Sequence, residues 1–275
     1  MGNRSSAIGI RVIIALVIAA FSLIKYFTTS SVNPVTGQKQ HVGVTPQQEI
    51  ALGLQAAPQM EQQYGGEASS DTQGTALVQS VGQEIVQKSD ASKSPYQYQY
   101  HLLADPKTVN AFALPGGQIF ITEALLNKLK TRGQLVGVLG HETGHVIARH
   151  SAQQLAQQTL TQGLTGAAVM ASYDPNNPNS RNSAAVVTAI GSLVNLKYSR
   201  NDESEADKWG VKLMSEAGYD PRAMLGVMQI LEAESQGGHT PEFLQTHPNP
   251  ENRLGKIKQN IAELYPNGVP AGMKP

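Results

Sequence analysis

The hydrophobic pattern opens with an uncharged apolar run at residues 12–24 (VIIALVIAAFSLI), with Arg4 and Arg11 before it and Lys25 after it. Counting the flanks at residues 7–10 and 26–27, with Arg11 and Lys25 reaching toward the lipid–water boundary, the segment approaches the ~20 residues that a membrane-crossing helix needs. A run of 13 uncharged residues, all apolar but Ser22, also suits a signal peptide. The bulky residues 24–27 (IKYF) offer no small-x-small cleavage site, so residues 1–27 are expected to be an uncleaved anchor. Positive charge ahead of the run predicts a cytoplasmic N-terminus, with the remaining chain outside. Met1, Gly2 and Ser6 match a loose myristoylation pattern, which a span directly behind it makes redundant.

Beyond the anchor the pattern loosens. Residues 28–45 (TTSSVNPVTGQKQHVGVT) have no helical period and read as a tether, leaving residues 46–275 as one domain. Thr45-Pro46, with Glu49 close behind, predicts a capped helix start. Leu77, Val78, Val81, Ile85 and Val86 recur at helical spacing and predict a second helix over residues 71–88. Residues 96–103 (YQYQYHLL) alternate aromatic and polar, and residues 109–122 hold two short β-rich runs around Pro115-Gly116-Gly117. From Glu123 onward the chain reads as helical, interrupted by a loop at residues 174–183 (DPNNPNSRNS). The Ala/Gly-rich runs beside that loop, residues 160–171 and 184–196, are too short to span a bilayer and read as packed helices. Many helices and a few short strands predict an α+β fold that is mostly α.

Charge and composition narrow the chemistry. Twenty-one basic residues balance 21 acidic ones with no basic stripe, so nucleic acid is not expected as a partner. Cysteine is absent, which removes disulfides, thiol catalysis and thiolate metal sites together. Any metal must be held by His, Asp and Glu.

Residues 141–150 (HETGHVIARH) supply that chemistry. The apolar residues 135–139 run straight into His141, which predicts a helix buried on one side. His141 and His145 stand four apart, ~40° around the axis and ~6 Å along it, so two imidazoles can share one tetrahedral zinc. Glu142 lies ~100° from His141, at the flank of that face, where it reaches a water beside the metal. His150 follows nine residues after His141 and, on one continuous helix, would point ~180° away into the surface or the packing. His41, His101 and His239 have no sequence partner and read as structural or exposed.

A third ligand is available in residues 198–210 (YSRNDESEADKWG). Glu203 and Asp207 share a helical face, which suits one carboxylate on the metal and another on the far nitrogen of a ligand histidine. Glu205 lies ~200° from Glu203, so both cannot ligate. The alternative is that Asp202, Glu203, Glu205 and Asp207 form a solvated acidic face.

With these motifs in hand, the chain resembles peptidase family M48, within the gluzincin metalloproteases. The resemblance rests on HETGH, on ESEAD within SRNDESEAD, on Thr246-His247-Pro248 followed by Arg253 (THPNPENR), and on NAFALPGGQIFIT ahead of the histidine helix. It covers residues 45–264 in the family's order and is nearest the small, singly anchored bacterial members, because the chain lacks further spans and a helical-repeat domain. It implies a mostly helical zincin domain with a small sheet beside the HExxH helix, and one Zn2+ held by His141, His145 and Glu203. Glu142 would act as general base and Asp207 would orient a ligand histidine. His247 and Arg253 would steady the oxyanion, with a fourth metal ligand as the other role open to His247.

The implied activity is a zinc endopeptidase acting on protein or peptide in quality control at the bacterial cell envelope. Its expected place is the inner membrane, single-pass, with the catalytic domain periplasmic; signal cleavage would instead release it into the periplasm. A peptide could add as a strand beside residues 118–122, with Gly117, Gln118, Ile119 and Phe120 lining it and the paired glycines allowing close approach. An ordinary turn is the other reading of those glycines. A zinc-bound chaperone-like assembly factor and a structural zinc protein are the rival functions, and neither needs a base such as Glu142.

Overall fold

The computed structural model describes residues 2–172, 198–236, 240–248 and 252–275. The expected loop at 174–183, the second Ala/Gly run, His239 and residues 249–251 of the THPNPENR motif lie outside them. The chain divides into two compact units, one holding residues 2–33, 38–43 and 152–172, the other residues 34–37, 44–151 and the described part from 198 onward.

In the first unit, helix α1 (Gly2–Thr28) contains a stretch, Ile10–Thr28, of 19 residues that is long and apolar enough to cross a membrane. Ile13, Leu16, Val17, Phe21 and Ile24 stand exposed along it. The expected tether carries a short antiparallel hairpin, β1 (Ser30–Val32) with β2 (Lys39–His41). His41 stacks on Tyr26 with ring centres 4.6 Å apart. The expected helix over 160–171 falls within helix α6 (His150–Ser172), whose residues from 152 belong to this unit.

The second unit is built around a three-stranded sheet. Helix α2 (Pro46–Gln63) starts as predicted, with Thr45 and Gln48 forming a reciprocal capping box. Helix α3 (Thr72–Lys88) is capped by Asp71 and buries Val78, Val81 and Ile85. Strands β3 (Gln99–Leu103), β4 (Ala111–Ala113) and β5 (Gln118–Thr122) are ordered β3-β5-β4, with β3 parallel and β4 antiparallel to β5. A short helix α4 (Glu123–Leu126) then leads into α5 (Arg132–Ile147). Later come α7 (Arg200–Glu216), α8 (Ala223–Gln236), α9 (Glu242–Thr246) and α10 (Arg253–Leu264).

Helix α5 was expected to be buried on one side, and it is buried all round, from Gly133 to Ile147. Helices α3, α7 and α8 and the sheet pack against it. Each of its fully buried Leu or Val side chains contributes roughly 1.5–3 kcal/mol. Small residues set its distance from α7: a Cβ on Gly144 would stand 2.9 Å from Trp209 Cβ and 3.0 Å from Ala206 O. From the sheet side, Tyr100 lies flat over Gly82 and its hydroxyl meets Thr143 Oγ1 at 2.9 Å.

One expectation about His150 fails. It is not on the helix of His141. That helix ends at Ile147, Arg149 takes a left-handed φ of 58°, and α6 starts afresh at His150. The unusual backbone is held by a buried ion pair: Arg149 Nε donates to Glu49 Oε1 at 2.9 Å, and its Nη2 donates to Val44 O at 2.8 Å. Tyr96 donates to the other Glu49 oxygen. Burial pushes the Glu49 carboxyl up, and Arg149 and Tyr96 only partly counter it. The residue that the sequence suggested as a first-turn acid therefore fastens α2 to the turn behind the histidine helix.

Candidate metal centre

Helix α5 presents His141 and His145 one turn apart, and their Nε2 atoms are 3.1 Å from each other. Helix α7 faces them with Glu203, whose Oε2 is 3.5 Å from His141 Nε2 and whose Oε1 is 3.4 Å from His145 Nε2. Of the two readings of the acidic run, the structure removes the solvated face for Glu203 and Asp207, which are 0% and 1% exposed. Glu205 turns away from both and toward His150. His247, at the end of α9, joins the cluster: it, His141, His145 and Glu203 each offer a ligand atom, all within 4.8 Å of one another.

These residues fit a metal. Both oxygens of Glu203, both of Glu142 and Nε2 of His247 are buried without a hydrogen-bond partner, an arrangement that is costly unless something else satisfies them. Two imidazoles, a carboxylate and a further imidazole, in a chain without thiols, form a nitrogen and oxygen donor set that borderline divalent ions favour.

Contacts behind the ligands orient the nitrogens that face inward. Asp207 Oδ1 is 3.0 Å from His141 Nδ1, an ion-pair contact without hydrogen-bond alignment that favours a proton on Nδ1 and leaves Nε2 facing the cluster. Arg253 grips the same Asp207 with two bonds of 2.8 Å, Nε to Oδ2 and Nη2 to Oδ1. Its Nη2 is also 3.2 Å from Glu203 Oε2. His247 Nδ1 lies 3.2 Å from Phe243 O and the ring stacks on Phe243, which turns Nε2 inward, 3.5 Å from Glu142 Oε1.

The charges follow. Burial works against ionising Glu203, yet the two histidines hold it well below the usual carboxylate range. Burial also opposes the charge on Glu142 and Asp207. His247 and the ligand histidines outweigh it for Glu142, and Arg253 and His141 do so for Asp207, so both carboxylates stay ionised. Burial favours neutral imidazole at both ligand histidines; it prevails at His145, while Asp207 and Glu203 raise His141.

One sequence expectation changes here. Arg253, a candidate for the oxyanion, holds Asp207 and Glu203 through Nε and Nη2, while its Nη1 is buried without a hydrogen-bond partner. Strand addition beside Gly117, Gln118, Ile119 and Phe120 is blocked because β5 is the middle strand, paired on both sides and buried throughout. Gly116 and Gly117 form a turn, with φ of 80° and 107°, that packs on α2, where a Cβ on Gly116 would meet Ile50 Cα at 2.4 Å. β4 is an edge strand, although its three residues are buried as well. Residues 110 and 114 bond to 122 and 118 of β5, so the register directs the N–H and C=O of Ala111 and Ala113 away from β5.

Sequence reasoning missed three neighbours of the centre. Tyr198 stacks on the His145 ring at 4.0 Å, Phe243 stacks on His247 at 4.4 Å, and His150 Nδ1 lies 2.9 Å from His145 Nδ1. Tyr198 opens the motif that carries Glu203, which was a usable signal. For His150 the contact depends on a helix break that no Gly or Pro announces.

This fold and this cluster are those of a metallopeptidase, and comparison with known proteins agrees. The sequence profile of peptidase family M48 matches residues 72–261, and the chain belongs to that family of metalloendopeptidases. It is 32% identical over 240 residues to the mitochondrial metalloendopeptidase OMA1 of Schizosaccharomyces pombe, covering 86% of this chain and 68% of that protein. It is 28% identical over 196 residues to the beta-barrel assembly-enhancing protease of Escherichia coli K12, covering 70% of this chain and 40% of that protein. Bovine OMA1 is 29% identical over 247 residues, and this chain spans 47% of its length.

Proposed function

We propose that the chain is a zinc-dependent endopeptidase in protein quality control at a bacterial cell envelope. The buried cluster of His141, His145, Glu203 and His247, with the unpartnered carboxylate of Glu142 beside it, carries this reading. His141, His145 and Glu203 would hold one Zn2+. Bound there, zinc lowers the pKa of a water to about 7 and draws electron density from the carbonyl under attack.

The chain's own residues do the rest. Glu142 accepts the proton of the water and later returns it to the leaving amine. Asp207 keeps the His141 proton on Nδ1, and Arg253 keeps Asp207 and Glu203 in place. The substrate backbone pairs with the outward edge of β4 at Ala111 and Ala113, beside the helix that carries Glu142. His247 has two roles before it. Its Nε2 faces both the ligand cluster and Glu142, which supports a fourth ligand that restrains the enzyme at rest as well as a hydrogen-bond donor. The rival reading as a chaperone-like assembly factor gives no reason for a buried base beside the metal.

Residues 1–27 serve as the anchor, 28–45 as the link and 46–275 as the peptidase domain, which faces the periplasm from the inner membrane. The test is cleavage of casein by the purified full chain. Activity should be abolished by a chelator and restored by Zn2+, and Glu142→Gln should keep its zinc yet lose at least ~10²-fold in rate. Zinc retention with undiminished cleavage would move the base elsewhere.

A further inference from the structure

We propose that His150 is a positioning residue for the metal centre, holding His145 through its outer nitrogen and passing that bond on to Glu205. This rests on the reading of His145 as a metal ligand. His145 Nε2 faces Glu203 and His141, and with a metal on Nε2 a neutral His145 would carry its proton on Nδ1. That Nδ1 lies 2.9 Å from His150 Nδ1. One of two facing ring nitrogens must donate and the other accept, so His150 accepts on Nδ1 and carries its own proton on Nε2. His150 Nε2 then points at Glu205 Oε2, 3.5 Å away, with Asp202 Oδ1 at 3.8 Å. Asp202 caps α7 through Oδ2, and its Oδ1 at 3.8 Å lies beyond hydrogen-bond reach, which leaves Glu205 as the acceptor for His150. His150 is 1% exposed, so water does not compete freely for either bond.

The two ligand histidines are thus held by different means. Behind His141 stand Asp207 and Arg253, both offered by neighbouring helices. Behind His145 stands a second imidazole, and it is there because the histidine helix breaks at Arg149. On a continuous helix, His150 would lie ~140° around the axis from His145 and could not face its Nδ1. The buried Arg149–Glu49 pair, which holds the left-handed turn, thereby acts on the metal centre through His150. Tyr198 closes the other side: it stacks on the His145 ring and its hydroxyl meets Ser151 Oγ at 3.1 Å, next to His150.

The test compares the full chain with His145→Ala, His150→Leu, His150→Asn and Glu205→Gln. It measures Zn2+ affinity by competition with a chromophoric chelator and the visible absorption of the Co2+-loaded forms. His150→Leu keeps bulk but removes both ring nitrogens. It should weaken Zn2+ binding about 10- to 100-fold and shift the Co2+ bands, the usual scale for losing the partner of a ligand histidine. His150→Asn restores an acceptor near the position of Nδ1 and should bind within about threefold of the parent, with a parent-like Co2+ spectrum. Glu205→Gln should fall between them. Parent-like affinity and spectrum in folded His150→Leu would overturn the proposal, as would equal losses in His150→Leu and His150→Asn, which would mean packing alone. If His150→Leu does not fold, His150→Asn decides: a loss beyond threefold or a shifted Co2+ spectrum overturns the proposal. The control arms separate this from the underlying reading. A parent chain that binds no Zn2+, or a His145→Ala chain that binds it fully, overturns the metal site and the proposal together; the results above overturn the role of His150 alone.

Discussion

Replacing Asp207 by Asn is the sharpest probe of how the centre is held, because shape is kept and one charge is lost. Asp207 accepts from Arg253 Nε and Nη2 at 2.8 Å and stands 3.0 Å from His141 Nδ1. An amide has only one oxygen. If it faces His141, its NH2 confronts the Arg253 donors; if it faces Arg253, the NH2 confronts Nδ1 and disfavours the tautomer that leaves Nε2 free. Breaking a buried ion pair by removing one partner costs roughly 3–5 kcal/mol. Glu203 remains 3.2 Å from Arg253 Nη2 and offsets part of the loss, so the lower end is expected, ~3 kcal/mol in denaturant unfolding of the metal-free chain. Zn2+ affinity should fall about 10- to 100-fold. Unfolding and chelator competition, run side by side on parent and variant, test both numbers. Stability within ~0.5 kcal/mol and affinity within twofold of the parent would refute the view that Asp207 links Arg253 to the ligand set.

Other outcomes are expected. His247→Ala should raise casein cleavage if Nε2 restrains the resting enzyme; a fall in rate would make His247 a donor to the reaction instead. Gly144→Ala places a methyl where 2.9 Å separates it from Trp209 Cβ, so it should destabilise the fold by about 1–3 kcal/mol and weaken Zn2+ binding by parting α5 from α7; an unchanged melting temperature would show that the helices yield freely. Glu84 is held below the usual carboxylate value of 4.5, chiefly by hydrogen bonds from Lys274 and Lys88, against slight burial and with help from Tyr219 and Arg132. A depressed carboxylate contributes stability above its unfolded pKa and loses it as pH falls toward the folded one. Glu84→Gln should therefore lower the melting temperature most near pH ~7, with the gap closing below pH ~4; a gap that widens in acid contradicts the assignment. A reporter fused after Pro275 should read as outside the cytoplasm in alkaline-washed membranes, whereas a shortened soluble form would show a cleaved signal.

The sequence alone determined much of this protein, wherever the cause is local. Helix starts at Thr45 and Asp71 follow from side chains that cap the N–H groups three residues on. The pairing of His141 with His145, and of Glu203 with Asp207, follows from the helical repeat. What the sequence could not determine depends on partners far along the chain. Nothing in residues 118–122 says that β3 and β4 will occupy both edges of that strand, because pairing is set by which distant strands arrive. Nothing at Arg149 announces a left-handed turn, since the residue is no glycine and its conformation is held by Glu49, a hundred positions earlier. Nothing in the sequence joined Arg253 to Asp207 and Glu203, which only the fold brings beside it. Helical spacing is a short-range property that each segment carries with it. The turn at Arg149 and the bond from His145 to His150 depend instead on long-range burial, where a charge or lone pair must find a partner and the assembled fold decides which one it finds.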